Sequence, residues 1–161
     1  MEVYEFVLRL LAALVAGVII GFERQWHHKS AGLRTNTLVA IGSALFVLLS
    51  FETTEKNGDP TRIIGQVVTG VGFLGGGIIF REGTNIHGLT SAATVWCSAA
   101  IGCLAAGGYF MEAFIGTGLI LFINAILRPV DKWLTKRAGK NLDKNNDEIE
   151  TETNGNTEKT S

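Results

Sequence analysis

Charge is missing from most of this sequence. Asp, Glu, Lys and Arg make up 18% of its 161 residues, and they gather in short clusters and in the tail beyond Arg128. From Gly83 to Met111 there is no aspartate or glutamate. The two cysteines, Cys97 and Cys103, are six residues apart and form no CxxC pair, so they read as small packing residues. His27, His28 and His87 lack zinc-ligand spacing, and adjacent histidines cannot both face one ion from a helix. No nucleophile–base set stands out, so an enzyme is not expected, and neither is a cofactor. No single basic face is present, which argues against nucleic acid.

What the sequence has instead is long apolar runs of membrane-spanning length. Five are readable: Val3 to Phe22, Thr35 to Phe51, Ile63 to Phe80, Leu89 to Ala106 and Tyr109 to Leu127. The third and fourth are rich in Gly, Ala, Ser and Thr, which lowers their hydropathy and marks spans buried among neighbours. The start, MEVYE, is acidic where a secretory signal would be basic, so the first run is expected to be retained. The expected fold is an all-α integral membrane protein with about five transmembrane helices.

Basic residues set the expected orientation. Arg24, Lys29, Arg34, Arg81, Arg128, Lys132, Lys136, Arg137 and Lys140 fall on one side of a five-span arrangement. Only Lys56 and Arg62 fall on the other, among Glu52, Glu55 and Asp59. The N-terminus is therefore expected outside and the C-terminus in the cytoplasm. Residues 1–130 form the membrane domain in this reading. Residues 131–142 read as a short interfacial helix with Trp133 at headgroup level. Residues 143–161, with 2 basic against 6 acidic side chains, read as a disordered tail.

The stretch Thr69 to Gly83, TGVGFLGGGIIFREG, carries the glycine spacing of a dinucleotide-binding turn at Gly70, Gly72 and Gly75. Such a turn needs a preceding strand, a following helix and an acidic residue about 20 positions later. The stretch lies inside an apolar run and the acidic residue is absent, so the nucleotide reading fails. The same stretch holds Gly72-x-x-x-Gly76, and the first run holds Gly17-x-x-x-Gly21. In a membrane helix this spacing admits a second backbone closely. A loosened, site-lining helix at Gly75–Gly77 is the alternative.

Ionisable groups in spans are functional suspects. Glu5 and Arg9 are four apart in the order that favours an intrahelical pair, with Arg9 shallow enough to snorkel. No acidic residue sits near the middle of a span, and Gln66, Thr69 and Asn124 make no convincing Mg²⁺ cage. The identity of any metal ligand stays open.

Several blocks together resemble the MgtC/SapB family of bacterial inner-membrane proteins. They are Glu23-Arg-Gln-Trp, Lys29 to Asn36, Leu38-Val-Ala, Arg62 to Val68, Gly70 to Gly75, Phe80 to Gly83 and Asn85 to Gly102. They look closest to the MgtC branch, without its folded cytoplasmic C-terminal domain. The resemblance implies a multi-pass inner-membrane protein linked to growth in scarce magnesium and, in pathogens, to survival in macrophages and virulence. It implies a regulator that binds other membrane proteins such as the ATP synthase, with a homo-oligomer as a further option. Transport of Mg²⁺ or another ion is the alternative. By match to the family blocks, Glu23, Arg24, Arg34, Arg81, Glu82, Asn85 and Cys97 are the candidate functional residues. Gly17, Gly21, Gly70, Gly72, Gly75 and Gly76 are the candidate packing residues.

Overall fold

The computed structural model describes residues 1–53, 59 and 61–129. It contains five α-helices: α1 Val3–Trp26, α2 Leu33–Thr53, α3 Thr61–Ile78, α4 Leu89–Ala106 and α5 Phe110–Pro129. A two-stranded antiparallel hairpin, β1 Phe80–Glu82 and β2 Asn85–His87, joins α3 to α4. The expected interfacial helix at 131–142 and the tail at 143–161 lie outside the described residues, as do Glu55 and Lys56.

Apolar side chains cover these helices on the outside as well as the inside. Tyr4, Leu8, Phe46, Phe73 and Phe114 are among the many large hydrophobic residues left exposed. That is unstable in water and natural in lipid, where the helix satisfies its own backbone groups. α1, at 24 residues, is about 36 Å long at ~1.5 Å per residue, enough for a ~30 Å hydrocarbon core with some tilt. Among the described residues, four helices are long and apolar enough to cross a membrane: α1, α2, α4 and α5. α3 is not among them, a difference from the five expected spans. Its six glycines, Arg62 and Gln66 dilute Ile and Val over only 18 residues. The third run also ends two residues early, because Phe80 begins the hairpin.

The chain divides into Met1–Leu121, which holds the bundle, and a second unit beginning at Phe122, described only as the end of α5. Within the first unit α2 is central, packed on α1 and α4. Its core is built from small residues: Ala13, Ala44, Ala105 and Ala106 around Val47 and Leu48. Small side chains let the helix axes come together, which is how packing energy is gained where lipid supplies no hydrophobic drive. Gly17 and Gly21 meet α2 directly. A Cβ on Gly17 would stand 2.8 Å from the Thr37 Cα, and one on Gly21 would stand 2.7 Å from the Leu33 Cα. On α4, a Cβ on Gly102 would run into the Ala40 carbonyl oxygen.

α3 is seated on one side only. Val67 and Val71 pack with Val95 and Ala99 of α4, and a Cβ on Gly75 would lie 3.6 Å from the Ala92 Cβ. α5 closes the other side through Ala113, against Ala16, Ile20 and Ile101. At the end of the bundle where the chain starts, the Met1 ammonium lies 3.1 Å from Glu52. Arg9 is expected to pair with Glu5. Instead its guanidinium donates to the Ala106 carbonyl at 2.9 Å, and among the described residues it makes no ion pair with Glu5. A cation at a helix C-terminus meets the negative end of the dipole, which outcompetes a solvated i,i+4 pair.

Candidate functional site

The other end of the bundle collects most of the polar residues. It is formed by the last turn of α1, the connection to α2, the hairpin and the first turn of α4. Arg24 lies in the last turn of α1, where a cation favours the helix dipole. It is 1% exposed and donates through Nη2 to the Ser91 hydroxyl of α4 at 2.6 Å. Ser30, in the α1–α2 connection, donates to the same Ser91 oxygen at 2.9 Å. One hydroxyl thus ties three segments together. Glu23, next to Arg24, turns to His27, whose Nδ1 is 3.1 Å from the Glu23 carboxylate.

A second polar contact lies deeper. Asn36 is fully buried, donates to the carbonyls of Ala31 at 2.7 Å and Gly32 at 2.9 Å, and accepts from Ser98 of α4 at 2.9 Å. The Ala31 carbonyl belongs to a residue at φ 57, left-handed backbone that an alanine adopts at a cost of about 1–2 kcal/mol. The Asn36 amide holds that turn and fastens it to α4. Buried amides worth keeping are those whose donors and acceptor are all engaged.

The hairpin carries Arg81, Glu82 and Asn85, all exposed. The Arg81 Nε donates to the Gly83 carbonyl at 2.7 Å, across its own turn. Glu82 stands opposite Asn85 in the register and lies 3.8 Å from His87. Phe80 stacks on His87 with ring centroids 5.3 Å apart. Gly88, at φ 87, lets the chain turn into α4, and a Cβ there would collide with the Ile78 carbonyl. Arg34 is exposed in the first turn of α2, and Cys97 is half-buried on α4. Six of the seven candidate residues therefore share one end of the bundle without converging on one atom, while Cys97 lies at the middle of α4. Of the seven, Arg24 is the one held fully inside.

α3 presents the remaining feature. It stays a continuous helix through Gly75, Gly76 and Gly77. A Cβ added to Gly65, Gly70, Gly72 or Gly76 would meet nothing within 4 Å, unlike one on Gly17 or Gly21. Cavities of about 600 Å³ and 530 Å³ flank the helix, one against α2 and one against α2 and α4. Among the described residues no three His, Cys, Asp or Glu side chains come together as a metal cage.

Sequence reasoning missed Ser30, Ser91, Ser98 and Gly102. Serine in an apolar run looks the same whether it bonds across helices or to its own backbone. Asn36 carried a readable signal, a lone amide in an otherwise apolar span, because an amide in hydrocarbon needs partners.

The sequence profile of the MgtC family matches residues 10–133. A Synechocystis protein described as uncharacterised is 52% identical over 134 residues, 83% of this chain and 57% of that protein. Protein MgtC of Brucella abortus is 52% identical over 121 residues, 75% of this chain and 50% of that protein. Protein MgtC of Salmonella typhimurium is 51% identical over 128 residues, 80% of this chain and 54% of that protein. The chain spans about half the length of the curated relatives it matches. No solved structure matches. The matched region runs from α1 to the end of α5, taking in the Arg24–Ser91 tie, the Asn36–Ser98 tie and the hairpin, and the chain belongs to the MgtC family.

Proposed function

We propose that this chain is a regulatory protein of the bacterial inner membrane that supports growth in scarce magnesium by binding another membrane protein. Family membership supports the setting. The observation that carries the mode of action is the open face of α3. Gly65, Thr69, Gly72 and Gly76 follow one another at spacings of four, three and four, which puts them on one stripe of the helix. A Cβ on any of these three glycines would meet nothing within 4 Å, and the Thr69 hydroxyl is occupied by the Gly65 carbonyl at 3.0 Å. A helix of a partner can approach such a stripe closely. The proton-driven ATP synthase is the partner that the family resemblance names, and it is part of the proposal.

The test is recovery of the ATP synthase with the tagged chain from membranes of cells grown in low magnesium. Recovery from the natural chain and its loss with Gly72→Leu supports the reading. Equal recovery of the synthase with both chains, or with neither, overturns it. Transport of Mg²⁺ is the competing reading. It requires the purified chain alone to carry Mg²⁺ into liposomes loaded with an indicator dye, above the leak of empty liposomes.

A further inference from the structure

The larger of the two cavities beside α3 has a shape and a charge that the regulatory reading does not use. It is a groove of about 600 Å³ between α2 and α3. Leu38, Val39 and Phe46 form one wall, with Ile63, Val67 and Leu74 on the other. Leu38, Phe46, Ile63 and Leu74 are all exposed, so the groove opens sideways along its length. Gly42 and Gly70 keep it wide, since neither would bring a Cβ within 4 Å of anything.

The length suits one acyl chain. On α2 the groove runs from Leu38 to Phe46, eight residues or about 12 Å, and on α3 from Ile63 to Leu74, eleven residues or about 16 Å. Half of a ~30 Å hydrocarbon core is about 15 Å. The groove is thus about as long as the hydrocarbon half-thickness that one acyl chain fills, and on both helices it is centred near the helix middle.

Both mouths of the groove carry an arginine. Arg62, four residues before Gln66, has the Asp59 carboxylate near it, whereas the mouth at Arg34 has no acidic residue in the first turn of α2. Arg34 precedes Leu38 by four residues and so lies on the same face of α2, about 6 Å further out at ~1.5 Å per residue. It is exposed, and among the described residues it makes no hydrogen bond and no ion pair. The first turn of α2 has no acidic residue, so the positive end of the helix adds to its field. Cationic mouths on apolar clefts between membrane helices suit anionic headgroups. The charge discriminates between occupants: a phospholipid supplies both an apolar chain and a phosphate, whereas an apolar helix leaves Arg34 unanswered.

We propose that the α2–α3 groove holds one acyl chain of an anionic phospholipid from the leaflet on the Arg34 side, with the lipid phosphate at Arg34. This gives a role to a residue that family resemblance singled out without one. It is independent of the partner reading, because it uses the α2-facing side of α3 and not its glycine stripe.

Native mass spectrometry of the purified full chain, titrated with phosphatidylglycerol and with phosphatidylcholine, tests it. The expected result is a preference for phosphatidylglycerol of about fivefold, the factor for one basic residue facing an anionic lipid. Arg34→Gln abolishes the preference but keeps phosphatidylcholine binding, and Arg34→Lys retains the preference. Gly70→Leu, which places a side chain in the groove, lowers retention of both lipids. Helical content and elution profile establish that each variant is folded, and Gly42→Leu replaces Gly70→Leu should the latter fail. An unchanged preference for phosphatidylglycerol in folded Arg34→Gln overturns the proposal. So does displacement of the bound species by excess inorganic phosphate, which would mark a free-anion site. A dimer that Gly70→Leu or Gly42→Leu dissociates with lipid retention unaltered would mark a second copy as the occupant, and overturns it too.

Discussion

Asn36 shows how much one side chain holds. Its amide spans the strained Ala31–Gly32 turn and its carbonyl takes the Ser98 proton, joining α2, the preceding connection and α4. Truncation strands these groups in the interior. Asn36→Ala should therefore cost about 1–3 kcal/mol, read as a lowered unfolding midpoint in detergent, and an unchanged midpoint would refute this account of the turn. Asp59 acts outside the membrane. Its carboxylate accepts from the Thr61 hydroxyl at 2.5 Å and from the Thr61 amide at 2.9 Å, at the start of α3. These bonds, the hydroxyl first, hold it below the usual carboxylate range. Because the folded value lies below the unfolded one, its stabilisation is complete above the ordinary carboxylate value of about 3.9. It is lost as pH falls through the lower folded value. Asp59→Asn should remove that part of the acid sensitivity, checked by unfolding series across the acid range. If the natural chain and the variant lose stability in parallel, the bond does not contribute.

At the scale of the helices, two glycine pairs with one spacing have two different fates. Gly17 and Gly21 lie against α2 backbone, whereas a Cβ on Gly72 or Gly76 would meet nothing within 4 Å. Gly17→Leu should thus destabilise the isolated chain by about 1–3 kcal/mol, the cost of forcing atoms into a filled contact. Gly72→Leu should leave its unfolding midpoint no lower than that of the natural chain. Equal losses would mean that α3 packs more tightly than the structure places it. The pattern of glycines was legible in the sequence, but its use was not, because use depends on what faces it. Leu33 and Thr37 face Gly21 and Gly17, and only the pairing of α1 with α2 brings them there. The helices themselves were legible, α4 to the residue, since an apolar run bounded by Gly88 and Gly107 leaves little choice. The hairpin was not. Its strands are three residues each and carry no sustained alternation, so Phe80 read as the end of a span.

For the whole molecule, the legible part was the class: apolar runs, small-residue cores and family blocks all point to a membrane bundle. Which polar residues meet was out of reach, because Arg24 and Ser91 are 67 positions apart and their contact is a product of the packing. We propose from the charge split along the sequence that the N-terminus lies outside.

The one-sided seating of α3 has a consequence for how the protein is made. α3 leaves the ribosome before α4, yet its buried side, Val67 and Val71, is completed by Val95 and Ala99 of α4. Its composition is poorer in apolar residues than that of the other four helices, so α3 is expected to enter the bilayer together with the next helix. In the proposed orientation, with the N-terminus outside, a cytoplasm-active reporter fused directly after Ile78 should then be active in only a fraction of chains. The same reporter inserted at Gly83 of the full chain should be active in nearly all. Equal activity would show that α3 enters the bilayer unaided. α4, in this sequence of events, is both a transmembrane segment and the chaperone of the one before it.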